Sequence, residues 1–278
     1  MYTYYLRYYL HSTKKRWLAI LVIITLGILI TKDNIICNLI SNSHTNIILI
    51  QDYFFDILKE GLFVCLIIPL CFYILISDLV MMDYRSDIAQ MLVSRIDNKL
   101  NYVKCKLWTL FVASNLFVIL LFILIFILGL YFGFSTKGIS THVLFDPKFH
   151  LTLTKALLFK YLFMFLMLFG LGLILSNISL ISATSYHSLV LLILSILFSQ
   201  YTVFSNRLLA KLDYFSQTIL SFHSPFFFKE VTTDKFNSLI NFTITKSLYY
   251  YEIIILINII LFLVLCSTRN YEIGDKNV

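Results

Sequence analysis

The sequence predicts an all-α membrane protein of six transmembrane helices, with an interfacial helix ahead of the first and a charged helical segment between the second and third. Three observations predict it. The 278 residues are 59% hydrophobic and only 13% charged, where a soluble domain carries about 25% charge. Apolar runs of about twenty residues recur, the length that crosses a bilayer core. With only 3 prolines, and no short alternating strands of the kind a membrane barrel needs, those runs read as continuous helices. The whole chain, 1–278, reads as a single transmembrane domain.

Residues 1–16, MYTYYLRYYLHSTKKR, precede any span. At helical spacing Tyr2, Tyr5, Leu6, Tyr9 and Leu10 share one face, and Thr3, Arg7, His11 and Lys14 share the other. A tyrosine-rich apolar face beside a basic one suits a helix lying at headgroup depth. No small-x-small cleavage site follows the next apolar run, so the segment is expected to stay in the mature protein. The first span is read at 17–31. Its basic prefix, Arg7, Lys14, Lys15 and Arg16, places the N-terminus in the cytoplasm.

A polar outer loop is expected at 32–56, and a second span at 57–77 with a kink at Pro69. The third span is read at 107–134. Trp108 opens it as Trp17 opens the first, which would set both rings at one interface. Gly129 and Gly133 form a GxxxG spacing, a helix-association motif that also occurs often by chance. The fourth span is read at 155–175 and the fifth at 188–204. Between them 177–187 holds no Lys, Arg, Asp or Glu and reads as a tight turn or a break between hydrophobic helices.

Residues 205–250 form a long outer segment. There Leu208, Leu212, Phe215, Ile219 and Phe222 recur at i+4/i+3 spacing, which predicts an amphipathic helix on the outer surface, either with a role toward substrate or packed on the sixth span at 251–266 as structure only. Six spans return the C-terminus to the cytoplasm. Lys and Arg divide evenly between the two sides, so the orientation rests on their clustering beside the first three spans.

Several chemistries are excluded. There is no G-x-x-x-x-G-K-[ST], H-E-x-x-H or G-x-S-x-G. The six histidines (11, 44, 142, 150, 187, 223) are scattered, and the five cysteines (37, 65, 71, 105, 266) have neither disulfide-framework nor metal-site spacing. The net charge of +7 lacks the aromatic–basic interleaving of a nucleic-acid binder and fits anionic lipid instead. Ionisable residues within the spans read as nearly missing: Lys59 and Glu60 stand near the outer end of the second, Asp78 closes it, and Glu252 opens the sixth. Ion-coupled transporters keep such groups inside the bundle. Any transport would therefore draw energy from elsewhere and handle an apolar or amphipathic cargo. Asn115, Asn177 and Asn258 are the polar residues along the spans, expected to bond between helices.

The most informative stretch is the polar island 78–106. At helical spacing Asp83, Asp87, Gln90, Ser94 and Asp97 form a polar stripe, beside an apolar one of Tyr84, Ile88, Met91 and Leu92. This layout resembles the permease subunit of type-two ABC exporters, the class serving peptide, lantibiotic, drug and polysaccharide export. Against that family's motif Asp83 takes the first acidic place and Met91 and Leu92 fall in its leucine run. Arg95 takes the Arg before its proline, Asn98 and Lys99 its Ser-Arg, and Lys106 its later Lys. The chain departs from the motif at Arg85, where a second acid is usual, at Asp87 for Gly, at Ile88 for Thr and at Ile96 for Pro.

The resemblance implies that 78–106 is a coupling helix seated on a separate ATP-binding cassette subunit, which carries the ATP and Mg, this chain having no cofactor of its own. Asp83, Arg85, Asp87, Arg95 and Lys99 would form the docking surface. It further implies a second permease chain, like or unlike, membrane lipid rather than nucleic acid as surroundings, a place in the plasma membrane, and export of a hydrophobic or amphipathic substrate, peptide foremost, with no enzymatic activity in this chain. The alternatives are a non-transporting immunity or sensor protein and, with no paired intramembrane base and nucleophile to support it, an intramembrane enzyme.

Overall fold

A computed structural model describes residues 2–42, 48–77, 79, 99–137, 143–145, 153–182, 184–204, 209–224, 226–228 and 242–268. The helices are α1 (Tyr2–Ser12), α2 (Lys14–Asn42), α3 (Ile50–Ile57), a π-helical turn (Phe63–Ile67) running into α4 (Ile68–Ile76), α5 (Lys99–Tyr131), α6 (Leu153–Ser182), α7 (Ser185–Phe204) and α8 (Ile244–Thr268). Among the described residues four stretches are long and apolar enough to cross a membrane: Asn101–Tyr131, Leu153–Ser182, Ser185–Thr202 and Ile244–Cys266. They correspond to the third to sixth expected spans and mark the chain as a membrane protein. The first expected span lies inside α2, and the second coincides with the shorter apolar helix Phe63–Ile76. At 1.5 Å per residue that piece is about 21 Å long, against a hydrocarbon core of about 30 Å.

Several helices outrun the expected spans. Thr31 in α2 donates to the Gly27 carbonyl at 3.0 Å, and α2 then continues to Asn42. The loop expected at 32–56 is therefore helix at both ends, with the short, buried α3 closing it. Pro69 falls in the first turn of α4, directly after the π-helical turn, where the Ile68 N–H reaches back five residues to the Phe63 carbonyl. The position expected to kink thus combines a π-bulge with a proline, two features at which helices bend.

The C-terminus of α5 explains the GxxxG spacing. Phe134 donates to the Gly129 carbonyl and Gly133 to that of Leu130, and Gly133 has φ of 79°. This is a Schellman cap with its left-handed glycine just past the helix end. Gly129 leaves room for Ile50 of α3, whose Cγ1 lies 2.8 Å from where a Cβ would stand. Both glycines serve the fold of this chain.

At the centre lies α6, burying Phe163, Met164, Met167, Leu168, Leu171 and Leu173. Against it pack α5, α7 and, most extensively, α8. The outward face of α8 leaves Ile253, Leu256, Ile257, Ile260 and Val264 exposed, as hydrocarbon-facing helices do. α6 ends at Ser182 and α7 begins at Ser185, within the 177–187 stretch expected to separate them. Short strand pairs complete the fold: Val143–Phe145 antiparallel to Phe226–Phe228, and His223–Ser224 parallel to Phe242–Thr243.

The amphipathic helix expected around 208–222 does not form. Leu209–Lys211, Ser216–Thr218 and Leu220–Phe222 are three separate 3-10 turns. Asp213 captures the Ser216 N–H at 2.7 Å, a side-chain bond that competes with helix, and Ile219 is extended with ψ of 98°. Of the expected stripe, Phe215 and Ile219 are buried, Phe222 is half-buried and Leu212 is exposed; the neighbouring Leu220 is buried too. So are Asp213, Ser216, Gln217 and Thr218, which a surface helix would have turned outward.

Candidate functional site

Of the expected docking residues, Asp83, Arg85, Asp87 and Arg95 lie outside the described residues. Lys99 forms the first residue of α5, with only its backbone described. The far end of the polar island is thus no separate helix: 99–106 is continuous with the third span. The base of the island is well defined. Lys106, on the second turn of α5, donates through Nζ to the Leu79 carbonyl just past α4, which ties the island's two stems together. Its ammonium lies 5.2 Å from the ring centre of Tyr5 in α1 and 5.4 Å from that of Tyr102, within cation–π range. α1 and α2 each add a bond to the same place: Tyr9 Oη of α1 donates to the Leu75 carbonyl at 3.0 Å, and Arg16, at the start of α2, donates to that of Ile74 at 3.3 Å.

This modifies the reading of α1. Its two faces are as the spacing predicts, with Thr3, Arg7, His11 and Lys14 exposed. Yet Tyr5 and Tyr9 are buried against the protein, so the tyrosine face clamps α4 and α5 to the start of α2. Trp17 lies 6.4 Å from Phe117, nine residues further along α5 than Trp108. The two tryptophans therefore meet α5 at different levels, about 13 Å apart along its axis.

A second polar cluster forms where the 3-10 segment enters the bundle. Lys160, on the second turn of α6, is fully buried and donates to the Leu58 and Thr218 carbonyls, both at 2.8 Å. Asp213 accepts from Ser199 of α7 at 2.8 Å, as well as from the Ser216 N–H and hydroxyl. Burial pushes the Asp213 carboxyl above its usual range, against the opposing pull of those bonds. Tyr214 donates to the Met167 carbonyl at 2.7 Å, in a gap left by Gly170, where a Cβ would stand 2.4 Å from the tyrosine oxygen.

The third part of this cluster is a chain of five polar groups joined by four hydrogen bonds. His223 Nδ1 faces the Ile219 carbonyl at 2.9 Å, and its Nε2 faces the Ser247 hydroxyl at 2.8 Å. Ser247, on α8, donates to Gln217 Oε1 at 2.6 Å, and Gln217 Nε2 donates to the Lys211 carbonyl at 2.8 Å. A carbonyl only accepts, so Nδ1 carries a hydrogen. Burial pushes the His223 ring down to about 4; the Ile219 bond opposes this and the Lys160 charge adds to it. The ring is therefore neutral near pH 7, and the single Ser247 proton lies between two acceptors, Nε2 and Gln217. A second proton on the ring would let Nε2 donate to Ser247 and complete the chain, with the ring stacked on Phe163 at 5.1 Å. What the cluster can do chemically is hold the 209–223 segment to α6, α7 and α8 through a proton count that changes with pH.

Two expectations fare differently here. Ionisable groups within the spans are not nearly missing: Lys160 is one, and its signal was a single Lys inside an otherwise apolar run, 156–169. Its ammonium donates to two carbonyls. The asparagines do bond between helices. Asn177 of α6 donates to Asn258 of α8 at 3.0 Å, and Tyr161 of α6 donates to Asn115 of α5. Among the described residues no group of three His, Cys, Asp or Glu could hold a metal ion, and the four described cysteines are buried and unbridged. No family model, characterised protein or solved structure matches this chain.

Proposed function

We propose that the chain is the membrane-spanning permease subunit of an ATP-driven exporter. It crosses the plasma membrane six times, with both termini in the cytoplasm, and pairs with a second permease chain and a separate ATP-binding subunit. It moves a hydrophobic or amphipathic substrate, a peptide foremost, out of the cell. The observation that carries this reading is the tie at the base of the polar island. Lys106, Leu79 and Tyr5, with the Tyr9–Leu75 and Arg16–Ile74 bonds, join α1, α2, α4 and α5 at one point. A load applied to 80–98 reaches four helices together, as rigid-body coupling requires. In this reading Asp83, Arg85, Asp87, Arg95 and Lys99 dock the ATPase.

The test is co-expression with candidate ATP-binding subunits and purification in mild detergent. The chain retains one of them, and Asp83→Lys with Asp87→Lys abolishes that retention. A chain that stays alone beside every candidate overturns the reading. If it also protects cells from a peptide toxin with the ATPase genes deleted, it is an immunity protein instead.

A further inference from the structure

At the end of the bundle where α5 stops and α6 starts, a groove of about 690 Å³ opens sideways between them, with α3 as its third wall. The floor is aromatic: Phe54 and Tyr161 stand edge-on to Phe122 at 4.8 and 6.0 Å. The walls are Ile123, Phe126 and Ile127 of α5, with Leu157 and Leu158 of α6. Its volume falls in the range of small-molecule sites, but its setting differs from a soluble pocket. Both long walls belong to helices that are long and apolar enough to cross a membrane, so hydrocarbon surrounds the opening.

Depth narrows the occupant. The lining runs from Phe122 to Ile127 on α5, five residues later, and over eight residues of α6 from Leu153 to Tyr161. At 1.5 Å per residue these walls are about 8 and 12 Å tall, within half of a hydrocarbon core of about 30 Å. The groove lies within one leaflet. At its mouth the lining turns polar with Gln51, Thr136 and Thr154, and the residues following the two threonines are the exposed Lys137 and Lys155.

We propose that this groove is a binding site for one anionic phospholipid. An acyl chain lies along Ile123, Phe126 and Ile127, and the phosphate meets Lys137 and Lys155. The proposal rests on the membrane character of α5 and α6 alone and is independent of the ATP-driven reading. Its test uses the purified full chain without any ATPase, so failure of one leaves the other standing.

The experiment is native mass spectrometry of the chain released from nanodiscs of phosphatidylglycerol or phosphatidylcholine. One phosphatidylglycerol is retained about tenfold more than phosphatidylcholine, as expected for two lysines near an anionic headgroup. Lys137→Gln with Lys155→Gln removes that preference. Ile123→Trp with Ile127→Trp, which fills the groove from two already exposed positions, lowers retention of both lipids about tenfold, the effect of losing as few as two buried methylenes. Ile257→Trp, on the exposed face of α8, changes neither. Unchanged retention in the groove-filled variant, an equal loss in Ile257→Trp, or a preference that survives the lysine substitutions each overturns the proposal.

Discussion

If Lys106 clamps α1 to the base of the polar island, its coupling to Tyr5 is measurable. The perturbation is a double-mutant cycle of Lys106→Met and Tyr5→Leu. Lys106 is only 2% exposed and its ammonium stands 5.2 Å from the Tyr5 ring. A desolvated cation–π contact of that geometry is worth about 1–2 kcal/mol. Lys106→Met alone also loses a charge-assisted bond to the Leu79 carbonyl, about 1.5–3 kcal/mol, but it relieves the cost of burying an ammonium. A net loss of about 1–3 kcal/mol follows. Tyr5 also meets Tyr102 edge-on at 6.4 Å; that loss is common to both backgrounds and cancels in the cycle. The assay is reversible unfolding of the four proteins in mixed micelles of dodecyl maltoside and sodium dodecyl sulfate. A coupling of about 1–2 kcal/mol is expected. Additivity within about 0.5 kcal/mol would refute the clamp.

Other consequences follow from single atoms. Gly170→Ala drives a methyl to within 2.4 Å of the Tyr214 oxygen and breaks its bond to Met167; the same unfolding assay should register about 2–4 kcal/mol of destabilisation, from overpacking plus a lost hydrogen bond. Gly133→Ala places a side chain at φ of 79° and should cost about 1–2 kcal/mol; no loss would mean the Schellman cap does not form. His223 makes stability depend on pH. Its folded value of about 4 lies below the free value of 6.5, so its stabilising contribution is full above pH 6.5 and is lost as the pH falls through about 4. The whole effect approaches about 3 kcal/mol. Asp213, shifted upward, works in the opposite sense: its contribution is present below pH 3.8 and is lost as the pH rises through its folded value. Subtracting the pH profile of His223→Phe from that of the unmodified chain isolates the histidine, and a flat difference would contradict the assignment.

What the sequence made legible depended on period and on partner. Long apolar runs placed α5, α6, α7 and α8 correctly because length and hydropathy alone decide such helices. Asn115, Asn177 and Asn258 were readable as residues that bond between helices, since an amide within hydrocarbon has few other ways to be satisfied; which partner each finds was not. Helix ends were not readable: the last turns of α2 and the first of α5 carry Lys32, Asp33, Lys99 and Lys104, residues that hydropathy assigns to loops. The spacing of Leu212, Phe215, Ile219 and Phe222 fitted a helix, but Asp213 holding Ser216 overrode it locally. Lys160, His223, Gln217 and Ser247 come together from distant parts of the chain; no periodicity links them, and only tertiary packing brings them into one cluster.

The central claim is that energy enters through the polar island, and site-specific photo-crosslinking in native membranes tests it most directly. With the crosslinker at Arg85 or Arg95, the account predicts an adduct to a protein that is retained on immobilised ATP with Mg, and none with the crosslinker at the exposed Leu212. The absence of any such adduct at the island positions, or the same adduct at Leu212, would contradict it.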